Sequence, residues 1–199
     1  MRGSVSRVAL PAFPIETERL LLRPFDAGDE AAFAAIHGRE DVTRYLYFGA
    51  RSADEAREVL ARKAAGTRLD EEGDALELAA VLRDDGTLVG DLSLFYRSKF
   101  HRQAEVGYLF HPDFHGRGLA TEATEAMLRI AFESAGFHRV YGRLDGRNAA
   151  SARVLEKAGM RREAHLVENE WVKGEWTDEV IYAVLDREWL TARGRRGSP

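Results

Sequence analysis

Two glycines separated by one arginine, in the segment HPDFHGRGLATEA (111–123), carry the clearest chemical signal in the chain. Gly116 and Gly118 permit positive φ angles and place no Cβ in the path of a ligand. The run LATEATEAMLRIAFE (119–133) predicts a helix, whose first N–H groups lack intrahelical acceptors. Those N–H groups and the positive end of the helix dipole favour an anion such as phosphate or pyrophosphate. A tight turn that serves only helix packing is the alternative interpretation.

Two familiar phosphate loops do not match this spacing. A P-loop requires G-x-x-x-x-G-K-[ST], which does not occur in the sequence. A Rossmann fingerprint places its glycines directly after a strand and follows them with a third small residue. Here Gly116 comes six residues after the strand-like run EVGYLF (105–110), and Thr121 stands at the third small position. A nucleotide-dependent oxidoreductase is therefore a weak alternative, since it would also need a βαβαβ first half.

A second strand-to-helix junction lies in DGRNAASARVLEKAGM (145–160). Asn148 stands where a helix begins and Ser151 follows three residues later, as expected of an ordinary N-cap. Both junctions open at the same end of the predicted sheet, which leaves a cleft between strands 103–110 and 138–144. Ligands of open α/β sheets bind at such clefts. The pairing of the two junctions favours phosphate binding over packing alone.

The elements that position these residues follow from apolar patterns and turn signals. Strands are predicted at 18–25, 75–83, 87–96, 103–110, 138–144, 161–170 and 178–186. Helices are predicted at 28–37, 53–66, 119–134 and 148–158, with Asp26 or Asp29, Ser52 with Glu55, and Asn148 among the caps. The order β-α-α-β-β-β-α-β-α-β-β predicts an α/β (α+β) fold, with one mixed, mostly antiparallel sheet flanked by helices.

Composition limits the possible functions. The net charge is 29 − 33 = −4, which gives no electrostatic argument for nucleic acid or an anionic membrane as partner. Cysteine is absent, which excludes disulfides, thiolate metal sites and covalent thiol catalysis. No segment approaches the ~20 apolar residues of a membrane helix, and the N-terminal segment lacks the apolar core of a signal peptide. We expect a cytoplasmic protein with one domain at 15–190, a flexible N-terminus at 1–14 and a flexible basic tail at 191–199.

Four segments, in order, resemble the GNAT N-acetyltransferases, and most closely the RimJ/RimL branch that acetylates N-terminal amines of ribosomal proteins. They are IETERLLLRPFDAGDEAAF, AEVGYLFHPDFHGRGLATEA, NAASARVLEKAGM and KGEWTDEVIYAVLDREW. The second and third are specific in combination. The resemblance implies the GNAT fold, with a central sheet of about seven strands flanked by about four helices. It also implies acetyl-CoA as the cosubstrate and no metal.

In that family a loop of pattern Q/R-x-x-G-x-G/A binds the coenzyme A pyrophosphate through backbone N–H groups. The motif here begins at His115 in place of the usual glutamine or arginine, so the N–H contacts fall on residues 117–121. The pantetheine arm is expected to lie beside strand 105–110, where an N–H at 109–111 polarises the thioester carbonyl. The residues to which the resemblance assigns cosubstrate binding are Leu109, Phe110, His111, His115, Gly116, Arg117, Gly118, Leu119, Ala120, Thr121, Asn148 and Ser151.

The implied reaction is direct transfer: a neutral amine attacks the thioester, a base removes a proton and an acid protonates the departing thiolate. Many relatives use the tyrosine of a Leu-Tyr pair as the acid, but this chain has Leu155-Glu156 there. The RimL pattern assigns that role to Ser151. Two glutamates compete as the base, Glu170 in the pattern E-x-x-x-G-x-W/Y-x-D and Glu105 in E-V-G-Y. For each glutamate, a structural ion pair with arginine is the alternative.

The acceptor is an amine of unidentified class: a protein N-terminus, a free amino acid, a polyamine and an antibiotic amine all fit. In the family the segment between the first two helices lines the acceptor side, where Tyr45, Tyr47 and Phe48 lie. The arginines of helix 53–66 are a solvated face or contacts to an acidic acceptor. An exposed strand at 178–186 would allow a homodimer.

Two further interpretations concern a metal site and the loss of catalytic activity. His111 and His115 are four residues apart, but Pro112 and the loop glycines argue against a helix that would align them as metal ligands. Because the family's tyrosine is missing, a non-catalytic module that binds or senses acyl-CoA is the main alternative to an enzyme.

Overall fold

The computed structural model describes residues 8–196, which form eight strands and six helices. The strands are β1 (Ile15–Glu16), β2 (Leu20–Arg23), β3 (Ala75–Leu82), β4 (Leu88–Ser98), β5 (Gln103–Phe110), β6 (Arg139–Asp145), β7 (Arg161–Val172) and β8 (Glu175–Leu185). The helices are α1 (Glu30–His37), α2 (Glu40–Thr43), α3 (Ala53–Ala65), α4 (Leu119–Arg129), α5 (Ala149–Lys157) and α6 (Asp186–Arg196). None of these helices is long and apolar enough to cross a membrane.

All eight strands belong to one sheet, in the order β1-β2-β3-β4-β5-β6-β8-β7. Every neighbouring pair is antiparallel except β5 and β6, which run parallel because α4 connects them. This confirms the predicted mixed, mostly antiparallel sheet. The prediction that strand 178–186 is exposed and free to pair in a dimer is wrong, because β8 is bonded to β6 on one side and to β7 on the other.

Helices cover both faces of the sheet and bury two apolar clusters. On one face α4 and α5 contribute Met127 and Leu155, which are 0% and 2% exposed. On the other face α1 and α3 contribute Phe33 and Leu60 to a smaller cluster. Full burial of such a side chain stabilises the fold by roughly 1.5–3 kcal/mol. The two layers hold the central strands rigidly between them.

Several predicted local signals are confirmed. Ser52 and Glu55 form a reciprocal capping box at the start of α3. Asn148 caps α5 by accepting a hydrogen bond from the N–H of Ser151. The β3–β4 hairpin is a further local feature of the structure, and Gly86 forms its turn with a φ of 76°. Such signals depend on side chains within a few residues, so the sequence alone specifies them.

The structure adds three elements to the predicted order. β1 has two residues and α2 has four, which is too short for either to show a periodic apolar pattern. The third is α6, so residues 191–196 are helical where a flexible tail was predicted. Trp189 anchors this helix by packing on Phe132, with ring centroids 5.5 Å apart.

The predicted N-terminal tail is also partly packed. Leu10 and Phe13 lie against the main core, and the N–H of Val8 donates to Asp70 at 2.9 Å. The remainder of the two predicted tails, residues 1–7 and 197–199, lies outside the described residues.

Candidate active site

The two central strands separate part-way along their length. β5 and β6 pair over only three positions, the last being Glu105 with Tyr141. Beyond them the sheet opens toward the C-terminal ends of both strands. At the start of the opening, Gly142 on β6 lets the Leu155 side chain of α5 pack closely on the strand, since a Cβ there would come within 3.1 Å of that side chain. A cleft of about 510 Å³ occupies the opening, and unpaired strand edges beside it can bond an extended ligand.

The glycine loop lies beyond the C-terminal end of β5, at the start of α4. Gly116 and Gly118 have φ angles of 74° and 80°, and Gly118 is the N-cap of the helix. The first helical bond joins the N–H of Glu122 to the carbonyl of Gly118. Within the part of the chain that the structure describes, the N–H groups of residues 117–121 make no hydrogen bond. They are therefore available to an anion at a helix N-terminus.

Arg19 holds this loop against the start of β2. Its guanidinium donates to the carbonyl of Arg117 at 2.7 Å and to the carboxylate of Glu122 at 2.8 Å. Glu122 also accepts from the hydroxyl of Thr17 at 2.6 Å. Burial alone would raise the pKa of Glu122, but the hydrogen bonds from Thr17 and Arg19 outweigh it and lower that pKa. Sequence reasoning missed Arg19 because it lies 98 positions from the loop.

Of the three N–H groups predicted at the end of β5, one faces the opening and two face β4. The N–H of His111 donates to the carbonyl of Val89 at 2.8 Å, so it is already used. Bonded positions alternate along an antiparallel pair, so Leu109 also turns its N–H toward β4 and Phe110 turns its N–H toward the opening. The Phe110 carbonyl accepts from Nε2 of His115 at 2.9 Å. The His115 side chain thus ties the loop to the strand.

Ser151 and Tyr108 form a hydroxyl pair on the cleft wall. The Tyr108 hydroxyl lies 2.8 Å from the Ser151 hydroxyl and 2.9 Å from the Ser151 carbonyl, while Asn148 accepts from the Ser151 N–H at 3.0 Å. Burial raises the pKa of Tyr108, although the bond to Ser151 partly opposes this. Tyr108 therefore keeps its proton at neutral pH and can supply a hydrogen bond to Ser151. The local motif did not single out Tyr108, because its partner lies 43 positions away.

Three glutamates converge on one arginine that the sequence did not single out. Arg143 on β6 lies 2.9 Å from Glu179, 3.3 Å from Glu105 and 3.7 Å from Glu170. Glu105 is also paired with Arg97 at 2.8 Å. Burial opposes the charge of Arg143, but Glu105 and Glu179 raise its pKa overall. Both competing glutamates are thus ion-paired, as the structural alternative predicted, within an acidic cluster.

The two candidate bases differ in their place relative to the cleft. Glu105 lines the cleft and its side chain is 12% exposed. Glu170 on β7 is outside the lining and 34% exposed, with Arg143 as its one ion-pair partner within residues 8–196. Glu179 is 4% exposed and also accepts from Tyr47 at 3.2 Å. The fold therefore places Glu105, and not Glu170, on the wall of the cleft.

The remaining candidate residues also differ in whether they line the cleft. Tyr45, Tyr47 and Phe48 line the cleft. Leu155 lines it too, while the carboxylate of its neighbour Glu156 accepts from a tyrosine on β8. Among residues 8–196, no three His, Cys, Asp or Glu side chains are grouped to hold a metal ion.

Comparison with known proteins agrees with this geometry. Residues 19–161 match the family described as Acetyltransferase (GNAT) domain. The Bacillus subtilis protein named Uncharacterized N-acetyltransferase YnaD is 31% identical over 176 residues, covering 88% of this chain and 98% of that protein. A GNAT-family acetyltransferase structure from Bacillus anthracis has a TM-score of 0.79 at 29% identity, covering 87% and 98% of the two chains.

A further solved structure shares the fold at lower identity. It is the spermidine N-acetyltransferase from Vibrio cholerae in complex with CoA and spermine, with a TM-score of 0.74 at 22% identity, covering 87% of this chain and 99% of that chain. The family match spans most of the chain, and the split sheet and the loop before α4 lie within it. The chain therefore belongs to the GNAT acetyltransferase family and is an acyltransferase.

Proposed function

We propose that this enzyme transfers the acetyl group of acetyl-CoA directly to a primary amine, either a protein N-terminus or a small-molecule amine. The observation that carries the proposal is the opening between β5 and β6. One end of this opening faces a loop with free N–H groups, and the cleft that occupies it is lined with charged side chains. The Vibrio cholerae relative, which holds CoA and spermine, supports a coenzyme and an amine as the ligands of this fold.

The donor is held mainly by backbone in this proposal. The free N–H groups of residues 117–121 bind the pyrophosphate, and the pantetheine arm lies along the open edge of β5. The N–H of Phe110 faces the opening and polarises the thioester carbonyl. His115 contributes by fixing the Phe110 carbonyl, and Asn148 by fixing the start of α5.

The acceptor reacts as a neutral amine at the cleft. Glu105 acts as the base through a water molecule, because it lines the cleft and its carboxylate is held in place there by Arg97 and Arg143. Glu170 and Glu179 add negative charge around Arg143 and favour the approach of an ammonium group. The departing thiolate takes its proton from Ser151, which Tyr108 orients.

The experiment is an acceptor panel with acetyl-CoA. Release of free thiol is measured with a ribosomal-protein N-terminal peptide, amino acids, polyamines and aminoglycosides, and acetyl-CoA and NAD binding are measured by calorimetry. The proposal expects turnover with at least one amine class and no NAD binding. Acetyl-CoA binding without turnover on any amine would support the non-catalytic module instead. Tight NAD binding would support the nucleotide-dependent oxidoreductase instead.

A further inference from the structure

The wall of the cleft beneath α1 and α3 carries a second group of charged side chains. His37 lies 2.6 Å from Asp91, and Lys63 lies 2.5 Å from Glu77 and 3.6 Å from Asp91. Ser93 bridges Lys63 and Glu77. All five side chains line the cleft and are mostly removed from water. Because these side chains bond to one another, they form one connected group on the wall of the cleft.

Arg51 stands beside this wall without an acidic partner. One guanidinium nitrogen is 2.5 Å from Nδ1 of His37, and the guanidinium carbon lies 3.7 Å from the ring centroid of Phe48. Nε2 of His37 faces Asp91 at 2.6 Å, so the imidazole lies between Asp91 and the guanidinium of Arg51. Within residues 8–196, no carboxylate forms an ion pair with Arg51. Its other N–H groups therefore retain donor capacity in a cleft.

A second unpaired cation stands nearby. Arg62 on α3 lines the same cleft and has no hydrogen-bonded or ion-paired partner among the described residues. Burial lowers the pKa of Arg51, Asp91 opposes this, and the positive charge of Arg62 lowers it further. Two guanidinium groups are thus held near each other with no carboxylate bonded directly to either among the described residues, an arrangement that suits a bidentate oxyanion.

We infer that Arg51, assisted by Arg62, binds an oxyanion carried by the amine acceptor, either a carboxylate or a phosphate. This inference rests on the proposed function and names its acceptor class. The acidic cluster around Arg143 receives the amino end, and Arg51 receives the anionic end of the same molecule. Both ends line one continuous cleft. A polyamine would place a second cation beside two guanidinium groups, which costs free energy through like-charge repulsion.

The test uses acceptors that differ only in the anionic group. Linear ω-amino acids of increasing length and O-phosphoethanolamine are compared with alkylamines of matched length and with spermidine, at saturating acetyl-CoA. We expect the anionic amines to exceed the matched alkylamines in kcat/KM by about 10-fold or more at the best length, with spermidine the poorest. The carboxylate and phosphate arms identify which oxyanion the site prefers.

Variants separate this site from the fold around it. Arg51→Met keeps an unbranched chain over Phe48 and removes the donors, so kcat/KM for the best anionic amine is expected to fall about 10- to 100-fold. The matched alkylamine should be unaffected, and Arg51→Lys should recover part of the loss. Arg62→Met should cost about threefold. Arg57→Met on the same helix is the control, because Arg57 is paired with Glu30 and Asp54 outside the cleft.

Three results would overturn the inference. They are an equal loss for anionic and neutral amines in Arg51→Met, a wild-type preference for alkylamines or spermidine, and an equal effect of Arg57→Met. Failure of the proposed function is distinguishable, because it gives no turnover with any amine. In that case calorimetry on the CoA-loaded protein decides the inference: N-acetyl-ω-amino acids should bind and their amides should not, with binding lost in Arg51→Met. Equal binding of acids and amides contradicts the anion site.

Discussion

The proposed donor and acceptor sides of the cleft differ in the chemical groups that face a ligand. On the donor side, the groups that face the ligand are backbone N–H groups of a glycine loop and a strand edge. On the acceptor side they are charged side chains from β5, β6, β8 and α3 and from the segment just before α3. Backbone donors need only the correct φ angles, whereas a side-chain cluster needs several elements to meet. The donor side therefore tolerates changes such as His115 in the motif, while the acceptor side depends on individual residues.

The difference matters for specificity. A main-chain anion site recognises the pyrophosphate that every acyl-CoA shares. The acceptor side combines carboxylates around Arg143 with Arg51, which has no ion-pair partner among the described residues, and we propose that this charge pattern selects among amines. Substitutions on the two sides should consequently affect different kinetic constants.

The largest effect is expected from Glu105→Gln on the acceptor side. Loss of a general base lowers kcat/KM for the amine by roughly 10²- to 10⁴-fold, while calorimetry should show an unchanged acetyl-CoA Kd. Glu170→Gln should cost about 10-fold or less, because Glu170 lies outside the cleft lining. A larger loss for Glu170→Gln than for Glu105→Gln would assign the base to Glu170.

The next effect tests the donor side. Gly116→Ala places a side chain at a φ of 74° and forces the loop to shift, which misdirects the N–H groups. We expect the acetyl-CoA Kd to rise about 10- to 100-fold, as for loss of charge-assisted hydrogen bonds. Gly86→Ala is the matched control, with a φ of 76° and open space around it in a distant hairpin. Similar losses of thermal stability with equal Kd values would contradict a binding role for the loop.

A smaller effect is expected at the Tyr108–Ser151 hydroxyl pair, which lies between the donor and acceptor sides. Tyr108→Phe removes one hydrogen bond from Ser151, so kcat should fall about 10-fold with little change in the KM for acetyl-CoA. Tyr182→Phe removes a comparable hydroxyl contact, to Glu156 at 2.9 Å, and should leave kcat unchanged. If both variants behave alike, Tyr108 has only a packing role.

The smallest effect is a pH-dependent change in stability at Glu122, which holds the glycine loop through Arg19. The pKa of Glu122 is lowered in the folded chain, so its contribution to stability is present above the ordinary value of 4.5 and is lost as pH falls through the folded value. Glu122→Gln should lower the Tm by about 2–4 °C near pH 7, for roughly 1 kcal/mol.

That difference in Tm should narrow as pH falls below 4.5 and should close once pH has passed below the lowered pKa of Glu122 in the folded chain, because both proteins then carry a neutral side chain at position 122. Melting curves of wild type and variant across pH measure it, with the exposed Glu58→Gln as control. A gap that stays constant down to pH 3 would show that the charge of Glu122 does not stabilise the loop.

The sequence predicted the backbone geometry of the proposed donor side, and the reasons are local. Gly116, Gly118 and the helix that follows them are adjacent in the chain, so their spacing indicates an anion site directly. The caps at Ser52 and Asn148 are also short-range, and both are found in the structure. The exceptions are Leu109, whose N–H turns toward β4, and His111, whose N–H donates to the carbonyl of Val89, because strand pairing decides which amides remain free.

The acceptor side was predicted only in part. Glu105 and Glu170 were recognised as candidates, but their convergence with Glu179 on Arg143 was not, since these residues lie on four different strands. Arg51 belonged to no motif, and its lack of a carboxylate partner is visible only in three dimensions. The place of β8 inside the sheet likewise required the full strand order.

The sequence by itself determined the element order over most of the chain and the glycine loop that we propose binds a phosphate, because these depend on contacts within a few residues. Only the tertiary structure decided which carboxylate lines the cleft, which hydroxyl supports Ser151 and which arginine is left unpaired. Those outcomes depend on charges from distant segments being buried side by side, and a charge that is paired in the fold cannot be told from an unpaired one by its position in the chain.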